Sequence, residues 1–110
     1  MIIKKPSIYI YVDKPNQDIL HEVCSGIEEE GVFFEIMEHS GDCVRELAWE
    51  GANDSMLGSG IAIKEDYVAF TIRGLKKGAY ISAYRNPTRE QSRLLGMNSA
   101  RAIKKQAFKD

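Results

Sequence analysis

Three consecutive pieces of this 110-residue chain decide its fold: Ser7-Ile-Tyr-Ile-Tyr-Val12, the spaced apolar set Ile19, Leu20, Val23, Cys24 and Ile27, and Val32-Phe-Phe-Glu-Ile-Met37. The first run is apolar on both of its faces, the pattern of a central strand covered on two sides. Asp13-Lys-Pro-Asn16 interrupts it as a turn, and helical spacing then carries the chain from Asp18 to Glu30. Gly31 stands where a helix ends in a left-handed residue, and a second strand follows at once. Strand, helix and strand so closely joined make a right-handed βαβ crossover between parallel strands.

Working outward, His39-Ser-Gly-Asp42 is a loop in which Asp42 is expected to cap a second helix, with Val44, Leu47, Ala48 and Ala52 on one stripe. Gly58-Ser-Gly-Ile-Ala-Ile63 is a third strand, Lys64-Glu-Asp66 a hairpin turn, and Tyr67-Val-Ala-Phe-Thr-Ile72 a fourth strand. A turn at Gly74-Leu-Lys-Lys-Gly78 leads into a fifth strand, Ala79 to Tyr84. Thr88 and Gln91 form a capping-box pair at the head of a last helix that continues to about Lys105. The order βαβαβββα predicts one α/β domain over residues 1–110: a three-layer sandwich with a mixed, mostly parallel sheet flanked by helices.

Composition narrows the function classes. Hydrophobic residues are 44% of the chain, enough for a packed core. No apolar run approaches the ~20 residues that span a bilayer, and Met1-Ile-Ile-Lys-Lys-Pro6 has no secretory h-region, so a cytoplasmic protein without a membrane role is expected. The net charge of −1 conceals a split: residues 1–50 carry 4 basic and 11 acidic side chains (−7), residues 51–110 carry 11 and 5 (+6). Opposed charge of this kind can orient a partner, while the lack of a basic excess argues against nucleic acid.

Glu28-Glu29-Glu30 is the most informative feature. A helix C-terminus carries about half a negative charge, so three carboxylates there break a local rule. They are either a solvated acidic end or carboxylates awaiting a cation from outside, such as an Arg/Lys patch or a hard metal ion like Mg²⁺. The last helix carries Arg89, Arg93, Arg101, Lys104 and Lys105, a basic face that is either solvated or partner-facing. Its interior Gly96 costs about 1 kcal/mol relative to Ala, which points to close approach of another backbone, in this domain or in a partner. Trp49 borders the apolar stripe of the second helix, either as a core rim or as an interface anchor.

Catalytic candidates are weaker. Cys24 lies on an apolar stripe and reads as core. Cys43, at a helix start, has only His39 nearby in sequence and no third group to orient it, so a thiol enzyme is a minor alternative. Neither His21 nor His39 has metal-ligand spacing, and the Gly58-Ser-Gly60 turn precedes a strand where phosphate loops follow one.

These pieces together resemble one family. GIEEEGVFFEI, Gly26 to Ile36, is similar to the "GIEEEGIP" signature of the small (β) subunit of the diol/glycerol dehydratase reactivating factor. Ala48-Trp49 with Ala52, Gly60-Ile-Ala, and Arg93-x-x-Gly96-x-Asn98-x-Ala100-Arg101 match further family patterns in the same order, and Ala107-Phe108 stands where that family has Pro-Phe. The resemblance implies a fold like that of the dehydratase's own β subunit. It also implies a non-catalytic role beside a large subunit whose actin- and heat-shock-ATPase-like domain binds ATP or ADP, in an assembly expected to be α2β2. Such a chaperone-like factor releases damaged cobalamin from inactivated adenosylcobalamin-dependent diol or glycerol dehydratase, its client, by exchange of the two β subunits. In the family the middle Glu of the motif contributes to a Mg²⁺ site at the large subunit, which carries over to Glu29. The partner-facing residues expected are Glu28, Glu29, Glu30, Trp49, Arg93 and Arg101; no catalytic residue and no cofactor of this chain's own is expected. The resemblance leaves open enclosure in a bacterial microcompartment. The alternatives are a dehydratase medium subunit or a free-standing α/β ligand-binding domain.

Overall fold

The computed structural model describes residues 5–105 and Phe108. Met1 to Lys4 and Ala107, which entered the sequence reading, lie outside the described residues. The elements run β1 (Ile8–Asp13), α1 (Gln17–Glu29), β2 (Phe34–Glu38), α2 (Val44–Asp54), β3 (Ser59–Lys64), β4 (Tyr67–Ile72), β5 (Ser82–Arg85) and α3 (Arg89–Ile103). The sheet order is β2-β1-β3-β4-β5. β1 pairs in parallel with β2 and β3, whereas β3–β4 and β4–β5 are antiparallel, so the mixed sheet divides evenly between the two kinds of pairing.

β1 is a central strand, as its two apolar faces require. Ile8, Ile10 and Val12 point to one side, where Val23, Ile27, Phe70 and Leu95 complete the larger core. Tyr11 points to the other, where Val44, Leu47, Ala48, Ala62 and Ala69 form the smaller one. Helices α1 and α3 therefore cover one face and α2 the other, giving the three layers. On the α2 side the fit is set by Gly60 of β3, where a Cβ would lie 2.1 Å from the backbone nitrogen of Ala52.

Local chemistry explains where elements begin and end. Asn16 Oδ1 accepts from the amides of Asp18 and Ile19 and starts α1. At the other end Gly31 takes φ +74°, with its amide on Glu28 O at 3.0 Å and the Val32 amide on Ile27 O at 3.5 Å, a Schellman closure. Because Val32 is tied back to the helix, β2 starts at Phe34 rather than Val32. The capping box of Thr88 and Gln91 is present at α3. Asp42 does not cap α2: Cys43 occupies that position without a side-chain bond, and the first helical link runs from the Leu47 amide to Cys43 O. β5 begins at Ser82 instead of Ala79, because the preceding loop is held elsewhere. Trp49 Nε1 donates to Leu75 O at 2.9 Å, and the Ala79 amide turns back to Lys76 O.

The tightest packing is between α1 and α3. A Cβ on Gly26 would stand 2.1 Å from Arg93 O, and one on Gly96 2.1 Å from Val23 O. The close approach inferred for Gly96 is thus to α1 of the same domain. Gly96→Ala should reveal which effect dominates. Helix propensity alone would stabilise by about 1 kcal/mol, and overpacking against a rigid carbonyl should cost about 1–3 kcal/mol or more. We expect a net fall in Tm of several degrees in thermal denaturation; a rise would mean that the two helices can separate without loss.

Candidate functional site

The two halves of opposite charge meet along the α1–α3 seam. Contacts advance together along both helices, from Glu22 with Arg89 to Glu30 with Lys104, so the helices run in the same sense. Their negative C-terminal ends therefore lie side by side, and this end needs cations most. Glu30 Oε2 meets Arg101 Nε at 3.3 Å and its Oε1 meets Lys104 Nζ at 3.1 Å; Lys104 also donates to Glu30 O at 2.8 Å. Glu29 Oε1 lies 3.3 Å from Arg93 Nη1. Two of the three carboxylates are thus neutralised within the chain, so they are neither simply solvated nor left for an outside cation, the two readings that the sequence offers. Arg93 and Arg101 face α1, and Glu28 remains exposed.

The seam has a member that sequence reasoning missed. Glu22 is 4% exposed and grips two arginines. Its Oε2 accepts from Arg89 Nη2 at 3.1 Å and Nε at 3.3 Å, and its Oε1 from Arg93 Nε at 3.1 Å, with Arg93 Nη2 at 3.0 Å. The hydrogen bond from Arg89 is the main reason its carboxyl is held below the usual carboxylate range; burial pushes the other way, and the charges of Arg93 and Arg89 add to the lowering. The available signal was Arg89 and Arg93 one helical turn apart, matching a lone Glu one turn before Gly26.

The remaining candidates are held in structural contacts. Trp49 is half-buried, with its N–H on Leu75 O and Lys77 Nζ 5.7 Å from its ring. Cys24 is buried, and burial, then the nearby Glu28 charge, pushes its thiol up to about 11. His39 stacks on Tyr11 with ring centroids 4.7 Å apart and places Nε2 3.9 Å from Glu50. Burial and a hydrogen bond to Asp54 raise the Tyr11 phenol. Cys43 lines an open crevice of about 500 Å³ outside the carboxyl end of β3, with Arg45, Lys64, Tyr67 and Arg85. Parallel sheets commonly bind ligands at such a point. Here Lys64 is paired with Asp13 at 3.6 Å and Arg85 lies 4.2 Å over the Tyr67 ring.

Comparison with known proteins adds an independent observation. The family model described as dehydratase medium subunit matches residues 5–109. The propanediol dehydratase-reactivating factor small subunit of Salmonella typhimurium is 32% identical over 106 residues, 96% of this chain and 91% of that protein. The diol dehydratase-reactivating factor small subunit of Klebsiella michiganensis is likewise 32% identical over 106 residues, 96% of this chain and 85% of that protein. A solved structure of diol dehydratase-reactivating factor complexed with ADP and Mg²⁺ contains a chain that superposes with a TM-score of 0.90 at 30% identity, covering 97% of this chain and all of that one.

The seam makes a prediction about pH. A carboxyl whose pKa is lowered by folding contributes stability above its unfolded value, about 4.3, and that stability is lost as pH falls through the lowered folded value. Thermal stability should therefore drop in this acid range, and Glu22→Gln should flatten the drop while lowering Tm at neutral pH. An unchanged acid limb in the variant would show that the Glu22 clamp is not what holds the helices.

Proposed function

The chain belongs to the dehydratase medium subunit family, as a small subunit of a dehydratase-reactivating factor, and on that premise we propose that it works without chemistry of its own. It binds a large subunit that carries the nucleotide. In the assembly it takes the place of the dehydratase's own β subunit, so that damaged cobalamin can leave an inactivated adenosylcobalamin-dependent diol or glycerol dehydratase. One conjunction carries the reading: a chain similar along nearly its whole length to reactivating-factor small subunits also belongs to a family described by a dehydratase subunit. Exchange between the two needs such a shared fold.

The residues fit Mg²⁺ only as contributors. Among the described residues no three His, Cys, Asp or Glu side chains gather into a metal site. Glu29 is a half-exposed carboxylate at the end of α1, able to offer one oxygen to a coordination shell supplied mainly by the large subunit. A bound Mg²⁺ would supply positive charge between the subunits. Arg93 would hold Glu29 in place until then.

Co-expression with a large subunit should give a complex that survives gel filtration at micromolar concentration; separate elution would overturn the reading. Glu29→Ala should weaken association, or abolish its dependence on Mg²⁺. It should leave the Tm of the isolated chain nearly unchanged, because an exposed ion pair is worth about 0–1 kcal/mol. Unaltered association and Mg²⁺ response would remove Glu29 from the interface. The family's description also favours a second reading, a dehydratase medium subunit. Diol dehydration on reconstitution with dehydratase large and small subunits would establish it instead.

A further inference from the structure

Pairing along the seam leaves one carboxylate of the acidic triplet over. Glu28 is exposed and makes no ion pair with a described residue. It occupies the last turn of α1, which holds no basic residue of its own, so the negative end of the helix adds to its field. Next to it is a cavity of about 310 Å³ bounded by Glu28, Gly31, Val32, Phe33 and Phe34. Apart from Glu28, the side chains that bound it, Val32, Phe33 and Phe34, are apolar. Phe33 is 55% exposed, and Lys5 Nζ already lies 4.5 Å from its ring centroid, so this ring accommodates an ammonium.

An apolar pocket with a single carboxylate at its lip matches the two parts of a long basic side chain. The methylene stem lies along apolar walls while the charged head stays at the wet edge. An acidic side chain would be repelled there, and a purely apolar one would leave Glu28 without a counter-ion. The basic helix of a second copy is a poor occupant, because Arg89, Arg93, Arg101 and Lys104 already hold carboxylates of α1.

We propose that this pocket, at the corner between α1 and β2, docks a lysine or arginine side chain of the large subunit, with its stem against Phe33 and Phe34 and its cation on Glu28. The proposal rests on the reading of this chain as a reactivating-factor small subunit, and it extends the interface from Glu29 to an apolar anchor beside it.

Association of the purified large subunit with wild-type chain, Glu28→Gln, Phe33→Ser, Phe33→Leu and Glu29→Gln, measured across a range of NaCl concentrations, tests it. Glu28→Gln and Phe33→Ser should each weaken binding about three- to fivefold, the scale of an exposed ion pair or cation–π contact. Glu28→Gln should also flatten the salt dependence. Phe33→Leu, which keeps an apolar wall, should retain more affinity than Phe33→Ser, and all four variants should melt close to wild type. Wild-type affinity and salt slope in both Glu28→Gln and Phe33→Ser would overturn the docking pocket; if Glu29→Gln still weakened binding, the functional reading would stand. Failure of the wild-type chain to bind would overturn both.

Discussion

Two glycines set the distance on which the rest of this structure depends. At Gly26 and Gly96 the backbones of α1 and α3 touch, and a single added Cβ on either helix would stand 2.1 Å from a carbonyl oxygen of the other. Helices packed through ordinary side chains are 8–10 Å apart. Closer approach brings short, direct carboxylate–guanidinium contacts within reach across the seam. It also buries Glu22, which would be costly without the two arginines it holds. The same-sense alignment then puts two negative helix ends together, and Arg101 and Lys104 serve both.

This arrangement changes the meaning of the split charge. A −7 half followed by a +6 half looks in one dimension like a molecule with opposed poles. In three dimensions the acidic helix α1 and the basic helix α3 are neighbours, and much of the opposition is internal. At the end of α1 the pairing leaves Glu28 exposed beside a pocket lined by apolar side chains, and Glu29 in a half-exposed ion pair with Arg93.

The layers, the order of elements and most of the core were legible in the sequence, because they follow from periods of 2 and 3.6 and from strong punctuation. The two apolar faces of β1, the Gly31 closure and the Thr88–Gln91 capping box are local signals, and the structure contains each of them. Non-local contacts were not legible in the same way. Gly96 announced a close approach without saying to what, and Gly26, its counterpart, is inconspicuous within the acidic motif. The compensation of Glu29 and Glu30 depends on helix direction, which no local pattern encodes. β5 is shorter than its sequence suggests because a tryptophan on α2 holds the backbone of the loop before it. The carboxylates at the end of α1 were legible as a candidate site, and their internal counter-ions came only with the fold.

The division of Arg93 between two carboxylates reconciles a rigid seam with an adaptable surface. Its Nε and Nη2 lie on Glu22, which is almost fully buried, while Nη1 alone reaches Glu29. The Glu22 carboxylate is itself buried and is held by Arg89 as well, whose own side chain is exposed; the Glu29 contact is screened and worth about 1 kcal/mol at most. A divalent cation offered to Glu29 competes only against that weak arm. Releasing Glu29 leaves Arg93 anchored by its other two nitrogens, and Glu22 keeps both of its partners. The helix end can therefore exchange an internal counter-ion for an external one without unpairing a buried charge, and the core beneath it need not move.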